Sequence, residues 1–282
     1  MKENGSPVTA GDMNIQLLPV PDAPAGSRPA ATVAVLRDGA DGIETFLLKR
    51  SGKAGFFPDA HVFPGGRVDL EDADVPVIGG EADRARMNVE GAAAYQVAAI
   101  RETFEEAGIL LARGEPDVAA RGALQRRELI FGQAAAAHGW VVEADDLAYW
   151  AWWITPLAER KRYDTRFFVA AVDREDQARH CGQETVDSEW IRPADAVGKS
   201  DAGAMFLAPP TYITLQELAT YATTAEVLAA APARRTPCVM PILGKTPDGV
   251  VTLFPGDPLN PSDDPVDGPT RLRWGGGRWH TT

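Results

Sequence analysis

The segment Arg101-Glu102-Thr103-Phe104-Glu105-Glu106-Ala107-Gly108-Ile109 restricts what this chain can fold into more than any other. Wound as a helix, it sets Glu102 and Glu106 about 40° apart and Glu105 about 60° away on the other side of Glu102, so three carboxylates share one face. Ile100, Phe104 and Ala107 take the opposite face, which must be buried. Apolar spacing over Ala92, Tyr95, Ala99, Ile100 and Phe104 carries the same period upstream, and Gly108 is placed to stop the helix in a left-handed conformation. Glu105 and Glu106 then fall in the last turn, beside the negative pole of the helix dipole.

That is an unfavourable place for anions. Each like-charged pair costs roughly 0.2 to 0.5 kcal/mol and each terminal carboxylate about 0.3 to 1 kcal/mol more, so something cationic must offset the cluster. Arg101, four residues before Glu105, neutralises one charge at most. A hard divalent cation fits the remainder, because it prefers carboxylate, carbonyl and water oxygens and commonly shares its shell with substrate phosphates. The histidines, His61, His138, His180 and His280, lack zinc-ligand spacing, and Cys181 and Cys238 are too few and too far apart for a thiolate site or a disulfide framework.

Composition removes other classes. A formal net charge of −12 would repel a polyanion, which argues against a nucleic-acid partner. No run of apolar residues is long enough for a membrane span, and the N-terminus has neither a basic nor an apolar leader segment, so a cytoplasmic protein without a membrane partner is expected, as a monomer or homodimer. Residues 1–28 read as a flexible N-terminal arm able to lay one short strand, residues 14–20, on the body. Two β-rich runs, residues 32–36 and 43–48, form a hairpin about a Gly- and Asp-containing turn. A helical block is expected over 116–138, strands over 147–154, 167–172 and 189–191, one helix over 215–228, and a late hairpin from 239–243 and 250–254. Tyr149, Trp150, Trp152 and Trp153 are expected in the core, with one or two free to wall a pocket for a flat ring. Residues 256–282, Pro-rich and carrying Gly275-Gly276-Gly277, read as a C-terminal surface tail. Strands and helices mixed in this order imply an α/β layered domain.

Phe63-Pro64-Gly65-Gly66 followed by Arg101-Glu102-Thr103-Phe104-Glu105-Glu106-Ala107-Gly108-Ile109 resembles the Nudix hydrolase box, whose second half reads R-E-U-x-E-E-x-G-U with U apolar. A finer resemblance, on residues 57–69, Tyr163-Asp164-Thr165-Arg166-Phe167-Phe168, Ala208-Pro209-Pro210-Thr211 and Pro255-Gly256-Asp257, is to the long-insert Nudix branch that contains the peroxisomal coenzyme A diphosphatases. Leu47, Leu48, Arg50, Ser51 and residues 63–66 fit the coenzyme A signature, whereas Lys49 stands in place of its threonine, Gly55 in place of its second arginine and Asp59 in place of its inner glycine. Gly66 precedes Arg101 by 35 positions against 14 in a compact box. Counted eight positions back from Arg101, the box's upstream glutamate falls on Ala93, so its support must come from elsewhere, with Glu90 the nearest carboxylate.

The resemblance implies a Nudix-type α/β/α sandwich with a mixed sheet over residues 29–255, carrying inserts at about 70–90 and 113–146. It implies Glu102, Glu105 and Glu106 as carboxylates for Mg2+ or Mn2+, Arg101 as the residue that orients Glu105, and a main-chain carbonyl near Gly65 or Gly66 as a further ligand. The implied activity is metal-dependent hydrolysis of a pyrophosphate bond in a nucleoside diphosphate linked to another moiety, with coenzyme A or acyl-coenzyme A the first substrate to consider. A nucleotide-sugar or ADP-ribose pyrophosphatase and a non-catalytic ligand sensor are the alternatives. The general base is one of the three glutamates or Glu184 on a later loop, with Asp187 a weaker choice. Arg50, Arg67 and Arg166 are the candidates for gripping phosphate oxygens.

Overall fold

The computed structural model describes residues 8–9, 14–52, 57–173 and 185–281. In chain order its strands are β1 (Val8–Thr9), β2 (Asn14–Leu17), β3 (Ser27–Gly39), β4 (Gly42–Arg50), β5 (His61–Val62), β6 (Gly65–Arg67), β7 (Val77–Ile78), β8 (Val142–Glu143), β9 (Ala148–Ile154), β10 (Arg162–Ala171), β11 (Thr185–Ile191), β12 (Cys238–Val239), β13 (Ile242–Thr246), β14 (Gly249–Leu253), β15 (Arg271–Gly275) and β16 (Arg278–Thr281). The helices are α1 (Glu81–Met87), α2 (Ala92–Ala107), α3 (Val118–Gln125), α4 (Phe131–His138), α5 (Pro193–Asp201), α6 (Pro209–Leu218) and α7 (Thr224–Ala230). None is long and apolar enough to cross a membrane among the described residues.

A mixed sheet in the order β11-β4-β3-β10-β9-β12 forms the middle layer, with β5 paired to β4 and β6 to β3. Its central strands are buried on both faces, which explains their continuous apolar runs. On β3, Val33 and Val35 join the core beneath α2, α3 and α4, while Ala34 and Leu36 join the core beneath α5, α6 and α7. The two-residue period of the strand thus divides one sequence between two helical layers. The result is the α/β/α sandwich with a mixed sheet that the resemblance implied.

The sheet also forks. β3 and β4 pair only near their hairpin, from Leu36↔Thr45 to Gly39↔Gly42, and then part. β5 takes the free edge of β4 at Leu48↔Val62 and Lys49↔His61, and β6 takes that of β3 from Ala30↔Arg67 to Thr32↔Gly65. Pro64 lies between them, its carbonyl accepting from Val33 N–H and Thr32 Oγ1, each at 2.9 Å. Gly65 and Gly66 are therefore clamped in the fork.

Two sequence expectations are corrected. Residues 215–228 do not form one helix: α6 ends at Leu218 and α7 starts afresh, with the Thr223 side chain accepting from Glu226 N–H and Glu226 Oε2 accepting from Ala222 N–H. This is a T-x-x-E cap, which outcompetes apolar periodicity. The helical block over 116–138 forms as expected, as α3 and α4, parted near Arg127. Residues 256–282 are no surface tail. β15 and β16 extend the sheet β1-β2-β13-β14-β15-β16, and Leu272 and Trp279 are buried. Gly276 (φ 62) and Gly277 (φ 79) supply the two positive φ angles of a tight hairpin turn, so the glycine run makes a turn of defined shape. The short N-terminal strand forms as expected, as β2 on β13.

Trp279 anchors that hairpin: its ring packs 4.8 Å from Trp274 and its Nε1 donates to the Leu207 carbonyl at 2.7 Å. Trp279→Ala should cost about 3 to 5 kcal/mol by loss of packing, read as a lower urea midpoint at unchanged slope.

Candidate active site

α2 supplies the carboxylates. Its buried face is Ile100, Phe104 and Ala107, and Gly108 (φ 75) caps it with its N–H on the Phe104 carbonyl. Thr103, in an apolar position, is also fully buried and donates its hydroxyl to the Ala99 carbonyl at 2.7 Å, so no polar atom is stranded. The opposite face carries Glu102, Glu105 and Glu106 toward the clamped glycines. Gly65 N–H donates to Glu106 Oε2 at 3.0 Å. A Cβ on Gly65 would lie 2.4 Å from the Ala31 carbonyl oxygen, so that position tolerates no side chain, and one on Gly66 would lie 2.5 Å from Glu102 Cδ, so a side chain there would displace the Glu102 carboxylate.

The Arg101 guanidinium, 6% exposed, organises this cluster. Its Nε and Nη2 donate to the two Asp72 oxygens at 2.8 and 2.9 Å. Nη2 also reaches the Arg67 carbonyl at 2.8 Å, and Nη1 reaches Glu102 at 2.8 Å and Glu105 at 3.4 Å. Burial works against its charge, but the bonds and charges of Asp72 and Glu102 outweigh that and raise its pKa. Burial also pushes the Glu102 carboxyl up to about 7, against the pull of Arg101 and with repulsion from Glu105 adding to the rise. Glu105 is raised for the same leading reason.

Asp72 is the carboxylate the sequence reading missed. It is 2% exposed on the 3-10 turn Leu70–Asp74, while the nominated Glu90 is exposed. A glutamate eight positions before the arginine of a compact box stands six positions after its second glycine, and six after Gly66 is Asp72. The insert begins behind Asp72, so counting back from Arg101 crossed it. The pole of α2 has cationic relief as well. Arg121 of α3 donates Nε to the Glu105 carbonyl at 3.0 Å and Nη2 to the Glu106 carbonyl at 2.9 Å, a contact that α2 itself does not foreshadow.

Glu102, Glu105, Glu106, Gly65 and Gly66 all face one cavity of about 980 Å3, together with Arg50 and Arg67. Arg50 keeps a buried Nε without a hydrogen-bond partner. Trp153, Tyr163 and Phe167 also line the cavity. Arg166 is not brought to the cavity. Strand alternation turns it to the other face of β10 from Thr165 and Phe167, where it is 1% exposed, over the Trp152 ring at 4.0 Å and paired with Asp164. Asp187 is exposed on β11, and Glu184 lies outside the described residues. Asp59, at the place of the signature's inner glycine, has φ 61, the backbone region that glycine enters most readily.

A divalent ion fits this donor set. Among the described residues no three His, Cys, Asp or Glu side chains converge to enclose an ion by themselves. Carboxylates on one helix face beside glycine main chain suit instead a hard cation that completes its shell with water and substrate phosphate.

A family model described as the NUDT19 Nudix domain matches residues 74–218. The acyl-coenzyme A diphosphatase NUDT19 of Gallus gallus is 29% identical over 286 residues, covering 81% of this chain and 76% of that protein. The Homo sapiens protein of the same name is 26% identical, covering 78% and 73%. A solved NUDIX hydrolase from Alicyclobacillus acidocaldarius superposes with a TM-score of 0.64 at 26% identity, over 73% of this chain and 97% of that one.

Asp72→Ala should cost about 3 to 5 kcal/mol in chemical unfolding, because it leaves a buried guanidinium without its main partner. The raised Glu102 pKa has a signed consequence. Between its ordinary value of 4.5 and about 7 the folded metal-free chain keeps a proton that the unfolded chain has lost, so stability falls as pH rises through that window. The melting temperature from pH 5 to 8 should drop by a few degrees more in the parent protein than in Glu102→Gln.

Proposed function

We propose, from the premise that the chain belongs to the NUDT19 Nudix domain family, that it is a diphosphatase splitting the pyrophosphate bond of coenzyme A or an acyl-coenzyme A with Mg2+ or Mn2+. As a Nudix hydrolase it cleaves a phosphoanhydride, and members of this superfamily generally use divalent metal ions. The observation that carries the reading is the meeting of Glu102 and Glu106 with Gly65-Gly66 at one wall of a 980 Å3 cavity. That volume lies near the upper end for small-molecule pockets, as a long substrate needs.

Glu102, Glu105 and Glu106 would hold the ions, with main-chain oxygen near Gly65 and Gly66 assisting. A dication held there would supply charge neutralisation for the diphosphate and acidity for the attacking water, which reconciles an acidic protein with an anionic substrate. Arg101 fixes the rotamers of Glu102 and Glu105, and the Gly65 N–H fixes Glu106. Arg50 and Arg67 offer donors to phosphate oxygens from the cavity wall. Trp153, Tyr163 and Phe167 give a flat ring an apolar surface. The proton of the water passes to a glutamate of the cluster or to Glu184.

With coenzyme A as substrate, product analysis should return 3′,5′-ADP and phosphopantetheine; AMP and a sugar phosphate from a nucleotide sugar, with coenzyme A untouched, would replace this reading by the nucleotide-sugar pyrophosphatase. EDTA should abolish turnover and Mg2+ or Mn2+ restore it. Glu105→Gln and Glu106→Gln should each lose about 100-fold or more in kcat while unfolding at or above the parent temperature.

A further inference from the structure

The loop between α3 and α4 contains a residue choice that local backbone physics disfavours. Arg127 has φ 57. Its N–H donates to the Leu124 carbonyl at 2.8 Å, and the Glu128 N–H to the Ala123 carbonyl at 2.9 Å, which is the paired-bond pattern that closes a helix around one left-handed residue. Glycine usually fills that position, because a Cβ there crowds the following carbonyl. An arginine in its place forgoes local stability, and its side chain is where a return must be sought.

The neighbouring Arg126 pairs with Glu128 through two bonds, at 3.0 and 2.8 Å. Arg127 makes no side-chain hydrogen bond or ion pair among the described residues. It is exposed, lines the cavity beside Gln125, and lies near enough for its charge to act on Glu105. Other cavity-facing cations are occupied or set elsewhere: Arg101 is saturated by Asp72 and the glutamates, Arg67 stands on the glycine-bearing strand β6, and Arg50 ends β4. On the side formed by the α3–α4 region, Arg127 is, among the described residues, the cation placed to meet a substrate anion.

We propose that Arg127 is a substrate-binding residue whose guanidinium grips a non-bridging oxygen of the substrate diphosphate from the α3–α4 side of the cavity. The proposal rests on the diphosphatase reading and adds a specific contact to it. A planar fork suits two phosphate oxygens, and a hydrated cation that exchanges water for phosphate leaves no buried charge in the empty site.

The test compares Arg127→Gly and Arg127→Lys with the parent in the full chain. Arg127→Gly removes the left-handed strain and should raise the melting temperature, while KM for coenzyme A rises about tenfold and kcat changes by less than about threefold. Arg127→Lys should recover part of the KM loss without the thermal gain. Calorimetric titration with α,β-methylene-ADP and Mg2+ should show the same tenfold loss in Arg127→Gly, about 1.4 kcal/mol. That arm needs no turnover, so it remains readable if the protein hydrolyses no diphosphate and the functional reading fails. Equal affinity for the analogue in parent and Arg127→Gly would overturn the assignment and leave Arg127 a surface cation. A KM loss on coenzyme A that is absent on 3′-dephospho-coenzyme A would also overturn it, by moving the contact to the 3′-phosphate.

Discussion

One buried guanidinium holds the candidate site together. Arg101 joins three elements: the 3-10 turn through Asp72 and the neighbouring glycine-bearing strand through the Arg67 carbonyl, both about thirty positions upstream, and its own helix through Glu102 and Glu105. A buried ion pair adds little net stability over an apolar replacement, yet losing one partner is severe. Its value here is positional. Without Asp72, Nε of the arginine would lose its partner and its charge would fall more heavily on Glu102 and Glu105. With Asp72 taking two of its donors, only Nη1 is spent on those two glutamates.

The forked sheet completes the geometry. Because β3 and β4 separate, two short strands can enter between them, and Gly65-Gly66 arrives beneath α2 with its main chain bare. The helix brings acidity to the glycines, and the absence of Cβ atoms lets both approach. Arg121 then caps the two carbonyls that make the end of α2 hostile to anions. The α3–α4 region thus contributes to the electrostatics of the cluster as well as to the cavity wall.

Much of this was legible in the sequence. The three glutamates, the stop at Gly108 and the glycine pair carried their own chemistry, since spacing on a helix is fixed by local geometry. Asp72 was not legible from Arg101 because an insert alters distance along the chain and not in space; it was legible from Gly66. Arg166 was misplaced because a motif names residues without saying which face of a strand they take, and Thr165 and Phe167 hold the cavity face of β10. The break at Thr223 and the Gly276-Gly277 turn follow from capping and turn chemistry that composition conceals. Arg121 and Arg127 become meaningful only when tertiary packing lays α3 beside α2.

The C-terminal hairpin bears on all of this from afar. Trp279 holds the Leu207 carbonyl, and the Phe206 carbonyl in turn accepts from His61 N–H, at the root of the segment that delivers the glycines. A hairpin around residue 279 is therefore a brace for residues 61–66, more than two hundred positions away along the chain. Loosening it would slacken the glycine cradle without touching a single carboxylate.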